Sequence, residues 1–229
     1  MHCVLCLSFI LLVYTSCSVQ AVVRQRSQAD ILNDINEKVN DLWNVYGSKY
    51  PLLNNADRML YAICNLQPNP KLNVTEPKIT GQILFKQAYP QGKLEAHFAV
   101  QGFPLNPIGS ARAIHIHTFG DLSNGCDSAG GHYNPYSVNH PHHLGDFGNF
   151  HVQNGEIQQH LSNLEASLFG PVSVMGRSVV LHKFLDDLGK GNNQASLENG
   201  NAGPRLACCV IGFTNKAAWD KCMQGSDNK

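Results

Sequence analysis

Seven histidines and one aspartate fall into a pattern suited to holding metal. In Ala113-Ile114-His115-Ile116-His117 the residues alternate as on a strand, so His115 and His117 project from one face, and two imidazoles at that spacing can grip one ion. The next stretch adds His132, His140, His142, His143 and Asp146, and His182 follows the apolar run Val179-Val180-Leu181. A His-x-His pair alone is an ordinary feature of a surface or core. The whole set is not. Imidazoles with one carboxylate and no Cys among them suit zinc or copper(II) better than soft Cu(I) or an iron-sulfur cluster. Arg205, at the end of a later loop, reads by itself as an exposed charge.

Such donors need a scaffold that holds loops against strands. From about residue 79 short alternating runs broken by turn residues predict strands over 79–87, 93–103, 111–119, 148–153, 156–160, 177–182 and 206–213. Asn154-Gly155 between two of them is a hairpin signal. Many short strands with Gly- and Pro-rich connections argue for an all-β sandwich or barrel. The connections over 120–147 and 183–205 are long, and long loops in a compact domain are usually functional. They carry most of the candidate residues.

Ahead of this domain, Ile31, Ile35, Val39, Leu42 and Tyr46 recur at helical spacing with Trp43 alongside, predicting an amphipathic helix over 28–46. Ser27 or Asp30 caps it, and Gly47 with Pro51 stops it. Residues 48–77 read as loop. Its apolar stripe needs cover, from its own domain or from a helix of another subunit, and the loop that lets the helix stand apart favours the second.

The first segment and the composition set the compartment. Residues 3–13 are largely apolar but too short to span a bilayer, and the small polar residues that follow, ending Ser18-Val19-Gln20-Ala21, read as a secretory signal peptide over 1–21. Removing it takes Cys3, Cys6 and Cys17 and leaves Cys64, Cys126, Cys208, Cys209 and Cys222, an odd set for an oxidising compartment. The sequon Asn73-Val74-Thr75 makes Asn73 a glycosylation candidate. Seventeen Lys+Arg balance seventeen Asp+Glu, so a broad basic surface for nucleic acid or anionic membrane is not indicated.

Several stretches together resemble one family. They are His115-Ile116-His117-Thr118-Phe119-Gly120-Asp121, Gly125-Cys126, Gly131-His132-Tyr133-Asn134-Pro135, His143-Leu144-Gly145-Asp146-Phe147-Gly148-Asn149, Val179-Val180-Leu181-His182, Asp186-Asp187-Leu188-Gly189-Lys190-Gly191, and Gly200 through Cys208. The combination resembles copper,zinc superoxide dismutase, most closely its secreted form, given the adjacent Cys208 and Cys209 and the long N-terminal arm. The resemblance implies an eight-stranded Greek-key β-barrel or sandwich. It implies copper held by His115, His117, His132 and His182, and zinc held by His132, His140, His143 and Asp146. His132 would bridge the two as an imidazolate. Asp186 would join His115 to His140 and orient both, and Arg205 would receive the anionic substrate. His142 has no role in the family pattern. Pro204 and Gly131 depart from it, Pro204 in a position to shift Arg205 and Gly131 to loosen the loop before His132. The same comparison pairs Cys126 with Cys208 and Cys64 with Cys209, leaving Cys222 for a bridge between subunits.

The expected organisation is a signal peptide over 1–21, a helical arm and linker over 22–77 that drives oligomerisation, the dismutase domain over 78–213, and a short tail over 214–229. The expected function is extracellular dismutation of superoxide to dioxygen and hydrogen peroxide by copper that is alternately reduced and reoxidised. The protein would be a homo-oligomer, dimer or tetramer, with no membrane span and no nucleic-acid partner. Family members with a basic tail bind heparan sulfate, but this tail has no run of Lys or Arg, so the resemblance stops short of that partner. A catalytically inactive secreted metal- or partner-binding protein on the same barrel is the alternative. It would show loss of a copper ligand or of Arg205, and none is lost. A copper-delivery protein would show a soft Cys pair, and adjacent Cys208 and Cys209 on a strand point oppositely.

Overall fold

The computed structural model describes residues 27–49, 58–105 and 111–226. The chain forms two compact units, Met1–Pro51 and Leu52–Lys229. The signal peptide expected over 1–21 lies outside the described residues. Among them, no helix is long and apolar enough to cross a membrane.

The first unit contains helix α1, Gln28–Lys49. Ser27 caps it: its hydroxyl accepts from Asp30 N at 3.1 Å, while the Asp30 carboxylate accepts from Ser27 N at 3.1 Å. The helix continues three residues past the expected end at Tyr46, through Gly47 to Lys49. Gly lowers helix propensity by only about 1 kcal/mol, which hydrogen bonding in the flanking turns outweighs. Ile31, Ile35, Val39 and Leu42 are exposed along one side.

The second unit is an antiparallel barrel, nearly closed. Its strands are β1 (Met59–Pro68), β2 (Thr80–Ala88), β3 (Leu94–Gln101), β4 (Ala111–His117), β6 (Asp146–His151), β7 (Glu156–Leu164), β8 (Ser178–His182) and β9 (Arg205–Val210), in the spatial order β6-β4-β8-β9-β1-β2-β3-β7. The short strand β10 (Gly212–Thr214) adds to β1, and β5 (Ser123–Cys126) lies in the first long loop. The two edge strands β6 and β7 are joined through Asn154-Gly155, where both residues take positive φ (51° and 79°) as a tight hairpin requires. Inward side chains including Leu66, Ile83, Phe85, Phe98, Ile114, Phe150 and Leu181 are fully buried and fill the barrel.

Strand β1 corrects the expected boundary. The sequence pattern predicts a loop over 48–77 and a domain that begins at 78. Instead Met59–Pro68 pairs with β2, β9 and β10 and sits inside the barrel. Leu60, Ala62, Cys64 and Leu66 alternate inward with the period of a half-buried strand. The signal was present, but nearby Pro and Asn residues obscured it. The expected tail also has structure: helix α3, Lys216–Ser226, covers Tyr61 and Leu84 with Trp219.

Strand β4 shows how the barrel prepares a site. Ile114 and Ile116 face the core, yet His115 and His117 on the opposite face are equally buried, at 0% and 1% exposure. What covers them is the two long loops.

Candidate metal centre

The first loop is stitched to β4 by backbone hydrogen bonds. Tyr133 N donates to Ile116 O at 2.8 Å, and Gly145 N donates to Tyr133 O at 3.0 Å. These place His132 beside His115 and His117, and Asp146 at the head of β6. The disulfide Cys126–Cys208 ties this loop to β9, and Cys64–Cys209 ties β1 to β9. His140 N donates to Leu197 O at 3.0 Å, joining the first loop to helix α2 (Gln194–Asn199) of the second.

Two donor sets result. The ligand atoms of His115, His117, His132 and His182 lie within 4.8 Å of one another, as do those of His132, His140, His143 and Asp146. His132 belongs to both. His142 is exposed and belongs to neither, and His97, His151 and His160 also lie outside both.

The hydrogen bonds decide which ring nitrogens remain for an ion. His117 Nδ1 donates to Gly130 O at 2.9 Å and His182 Nδ1 donates to Gly203 O at 3.0 Å, because a carbonyl can only accept. Both Nε2 atoms therefore carry lone pairs, and they face each other at 3.2 Å. Two acceptors at that distance repel unless a cation lies between them. His115 Nε2 is held by Asp186 at 2.8 Å, which leaves its buried Nδ1 without a hydrogen-bond partner, and His132 Nε2 is in the same state. In the second set, His132 Nδ1 stands 2.8 Å from Asp146 Oδ1. His140 Nδ1 and His143 Nδ1 approach Asp146 Oδ2 at 2.9 and 3.3 Å without hydrogen-bond alignment. Buried nitrogens so arranged fit two metal ions: four imidazoles suit copper, and three imidazoles with a carboxylate suit zinc.

The electrostatics agree. Burial, reinforced by the neighbouring histidines, pushes His115 down to about 4 and His182 to about 3, and holds His117 well below its ordinary value. These rings are neutral at physiological pH and keep their lone pairs. Burial acts on His140 in the same direction, but Asp146 and Asp186 together outweigh it and raise it to about 9. Burial alone would raise Asp146 and Asp186, yet hydrogen bonds from their histidines hold both well below the usual carboxylate range.

Asp186 spans the two sets, with Oδ2 on His115 Nε2 and Oδ1 2.6 Å from His140 Nε2. Asn149 holds it in place: Asp186 N donates to Asn149 Oδ1 at 2.7 Å, and Asn149 Nδ2 donates to Asp186 O at 2.8 Å. Gly200, at φ +63°, leaves room for it, because a Cβ there would stand 2.0 Å from Asp186 Oδ1. Asn149 and Gly200 both lie in stretches that carried the family resemblance, but nothing in the sequence marked their roles.

Arg205 starts β9. Its guanidinium donates to Cys126 O and Gly130 O, each at 2.7 Å, so Pro204 beside it leaves the side chain seated on the first loop. A Cβ at Gly131 would meet nothing within 4 Å, so this departure leaves open space. A cavity of about 350 Å³ is lined by Arg205 and by His117, His132 and His182. His140, His143 and Asp146 are not in its wall.

A family model for copper/zinc superoxide dismutase (SODC) matches residues 79–211. The extracellular superoxide dismutase [Cu-Zn] of Homo sapiens is 49% identical over 193 residues, covering 84% of this chain and 79% of the human one. The extracellular superoxide dismutase [Cu-Zn] of Mus musculus is 53% identical over 189 residues, covering 82% of this chain and 74% of its own. The superoxide dismutase [Cu-Zn] of Saccharomyces cerevisiae is 43% identical over 144 residues, 60% of this chain and 92% of its own. With the barrel, the shared His132 and the two donor sets, these likenesses place the chain in the copper/zinc superoxide dismutase family.

Proposed function

We propose that the protein is a secreted superoxide dismutase, turning two superoxide anions and two protons into dioxygen and hydrogen peroxide. The observation that carries this reading is the cavity wall: three histidines of the all-imidazole set line it beside a fixed cation, and of the second set only His132 does so. Copper would be held by His115, His117, His132 and His182, and zinc by His132, His140, His143 and Asp146. When bound, copper supplies the one-electron exchange and zinc a fixed charge that orders the first loop.

The chain's own residues supply the rest. Arg205, fixed by Cys126 O and Gly130 O, receives a small anion in the cavity that it lines. His132, in the same wall, can hold and deliver a proton, while Asp146 orients the ring from Nδ1. Asp186 holds His115 and His140 by their Nε2 atoms, which leaves their Nδ1 atoms to the two donor sets that would take the ions.

Export is supported by the apolar leader, by two disulfides and by relatives named as extracellular. Asn73 lies in an exposed turn and can accept a glycan there. The exposed stripe on α1 supports a homo-oligomer, dimer or tetramer, held through these helices. Cys222, half-buried on α3 and in neither disulfide, is a bridging position between subunits. Lys216 pairs with Asp220 on α3, and the sequence of the tail has no run of Lys or Arg to attract heparan sulfate.

Metal analysis of the purified protein, paired with a superoxide-removal assay, tests the reading. Copper and zinc in equal amounts with turnover are expected. Zinc without copper, or both metals without turnover, would sink it.

A further inference from the structure

The cavity over the all-imidazole set also has an acid in its wall. Glu198, on helix α2, lines it together with Arg205, and the rest of the lining beyond the histidines is glycine, alanine and asparagine. Among the described lining residues, one fixed positive and one fixed negative charge therefore face the same space. Glu198 is exposed, and Gln194 Nε2 donates to its Oε1 at 2.9 Å, which holds the carboxylate on its helix without neutralising it. Its position is fixed as well: Asn193 caps α2 by accepting from Ser196 N at 2.8 Å, and Leu197 O accepts from His140 N.

A carboxylate in the approach to a site for anions is unfavourable for affinity and needs a reason. Coulomb repulsion is proportional to the charge of the incoming ligand, so a fixed negative charge penalises a dianion twice as much in free energy as a monoanion. Arg205 sits at the same cavity and attracts both. We propose that Glu198 is a specificity-determining residue that filters anions by charge: it admits small monoanions such as superoxide and keeps dianions of the sulfate class off Arg205. This rests on the dismutase reading above.

The test uses the full-length protein loaded with both metals. Azide serves as the monoanion, followed by the change it causes in visible absorption, and sulfate serves as the dianion, followed by its displacement of azide. In Glu198→Gln the side-chain shape is kept and only the charge is removed. Azide affinity is expected to rise about two- to threefold, since an exposed charge is partly screened, and sulfate affinity by about the square of that factor, roughly four- to tenfold. Glu198→Asp keeps the charge and should stay within twofold of the parent for both, about the size of the smallest effect sought. Equal factors for azide and sulfate, or no change in either, would overturn the proposal. These titrations need no turnover, so a loaded protein that binds anions as expected yet fails to remove superoxide defeats the functional reading and not this one.

Discussion

The side-chain amide of Asn69 donates to the backbone carbonyl of Arg205 at 2.9 Å. Asn69 Oδ1 also accepts from Cys126 N at 3.4 Å and from Lys71 N at 3.2 Å. One buried side chain thus joins the end of β1 to the start of β9 and to the disulfide loop that receives the Arg205 guanidinium. The segment predicted as linker is part of the frame that seats Arg205. Replacing Asn69 with Ala should cost about 1–3 kcal/mol of stability, because buried polar groups lose their partner. It should also weaken azide binding, whereas a purely structural loss would leave the affinity of the folded fraction unchanged. Urea melts and azide titrations measure the two effects separately.

Arg205→Ala is expected to keep both metals and lose most of its activity, by ten- to a hundredfold in kcat/KM, since no other cation lines the cavity among the described residues. Metal analysis beside steady-state kinetics checks this. Unchanged turnover would show that Arg205 does not guide the substrate.

Asp186→Asn leaves one acceptor oxygen where two are needed to fix both imidazoles, and sets an NH2 donor against one of the rings. Partners of this kind are worth roughly ten- to a hundredfold in metal affinity. Competition with a chelator should show such a loss for zinc, with the barrel still folded by circular dichroism.

Zinc binding to the metal-free protein at neutral pH should release about one proton. His140, raised to about 9 by its two carboxylates, is protonated there and must give up the Nδ1 proton to become a ligand. Calorimetry in buffers of different ionisation enthalpy reads the number released, and none released would contradict the assignment.

The stability of the metal-free protein should peak near pH 6.5. His115 and His182 are lowered to about 4 and about 3, so below 6.5 the unfolded chain takes up their protons first and stability falls with acid. From His115 alone the loss between pH 6.5 and 4 is of order 3 kcal/mol. His140 has the opposite sign: its contribution is fully present below 6.5 and is lost as pH rises through about 9. Urea midpoints across this range should fall on both sides of the peak, and a flat profile would be inconsistent with these shifts.

Much of this was written locally. The alternation around His115 and His117, the Asn154-Gly155 turn and the α1 periodicity are short-range patterns, and each reappears as an element of the structure. The donor types alone pointed to zinc or copper, and the family resemblance named the histidines that the barrel then gathers into two sets. Strand β1 is equally periodic, but nearby Pro and Asn residues obscure it, and it is held between β2 on one side and β9 and β10, more than a hundred residues later, on the other.

What only the tertiary structure decided is which atom of each side chain is left to act. His117 owes its free Nε2 to Gly130, His182 to Gly203, and His115 its free Nδ1 to Asp186, partners 13, 21 and 71 residues away. Asn69 reaches Arg205 across 136 residues. Glu198 has no periodicity or motif to mark it and becomes part of the site only because α2 closes over the cavity. Residue type and spacing determine what chemistry a chain can offer. Hydrogen-bond partners brought in by the fold determine the tautomer, the free lone pair and the charge that face the substrate.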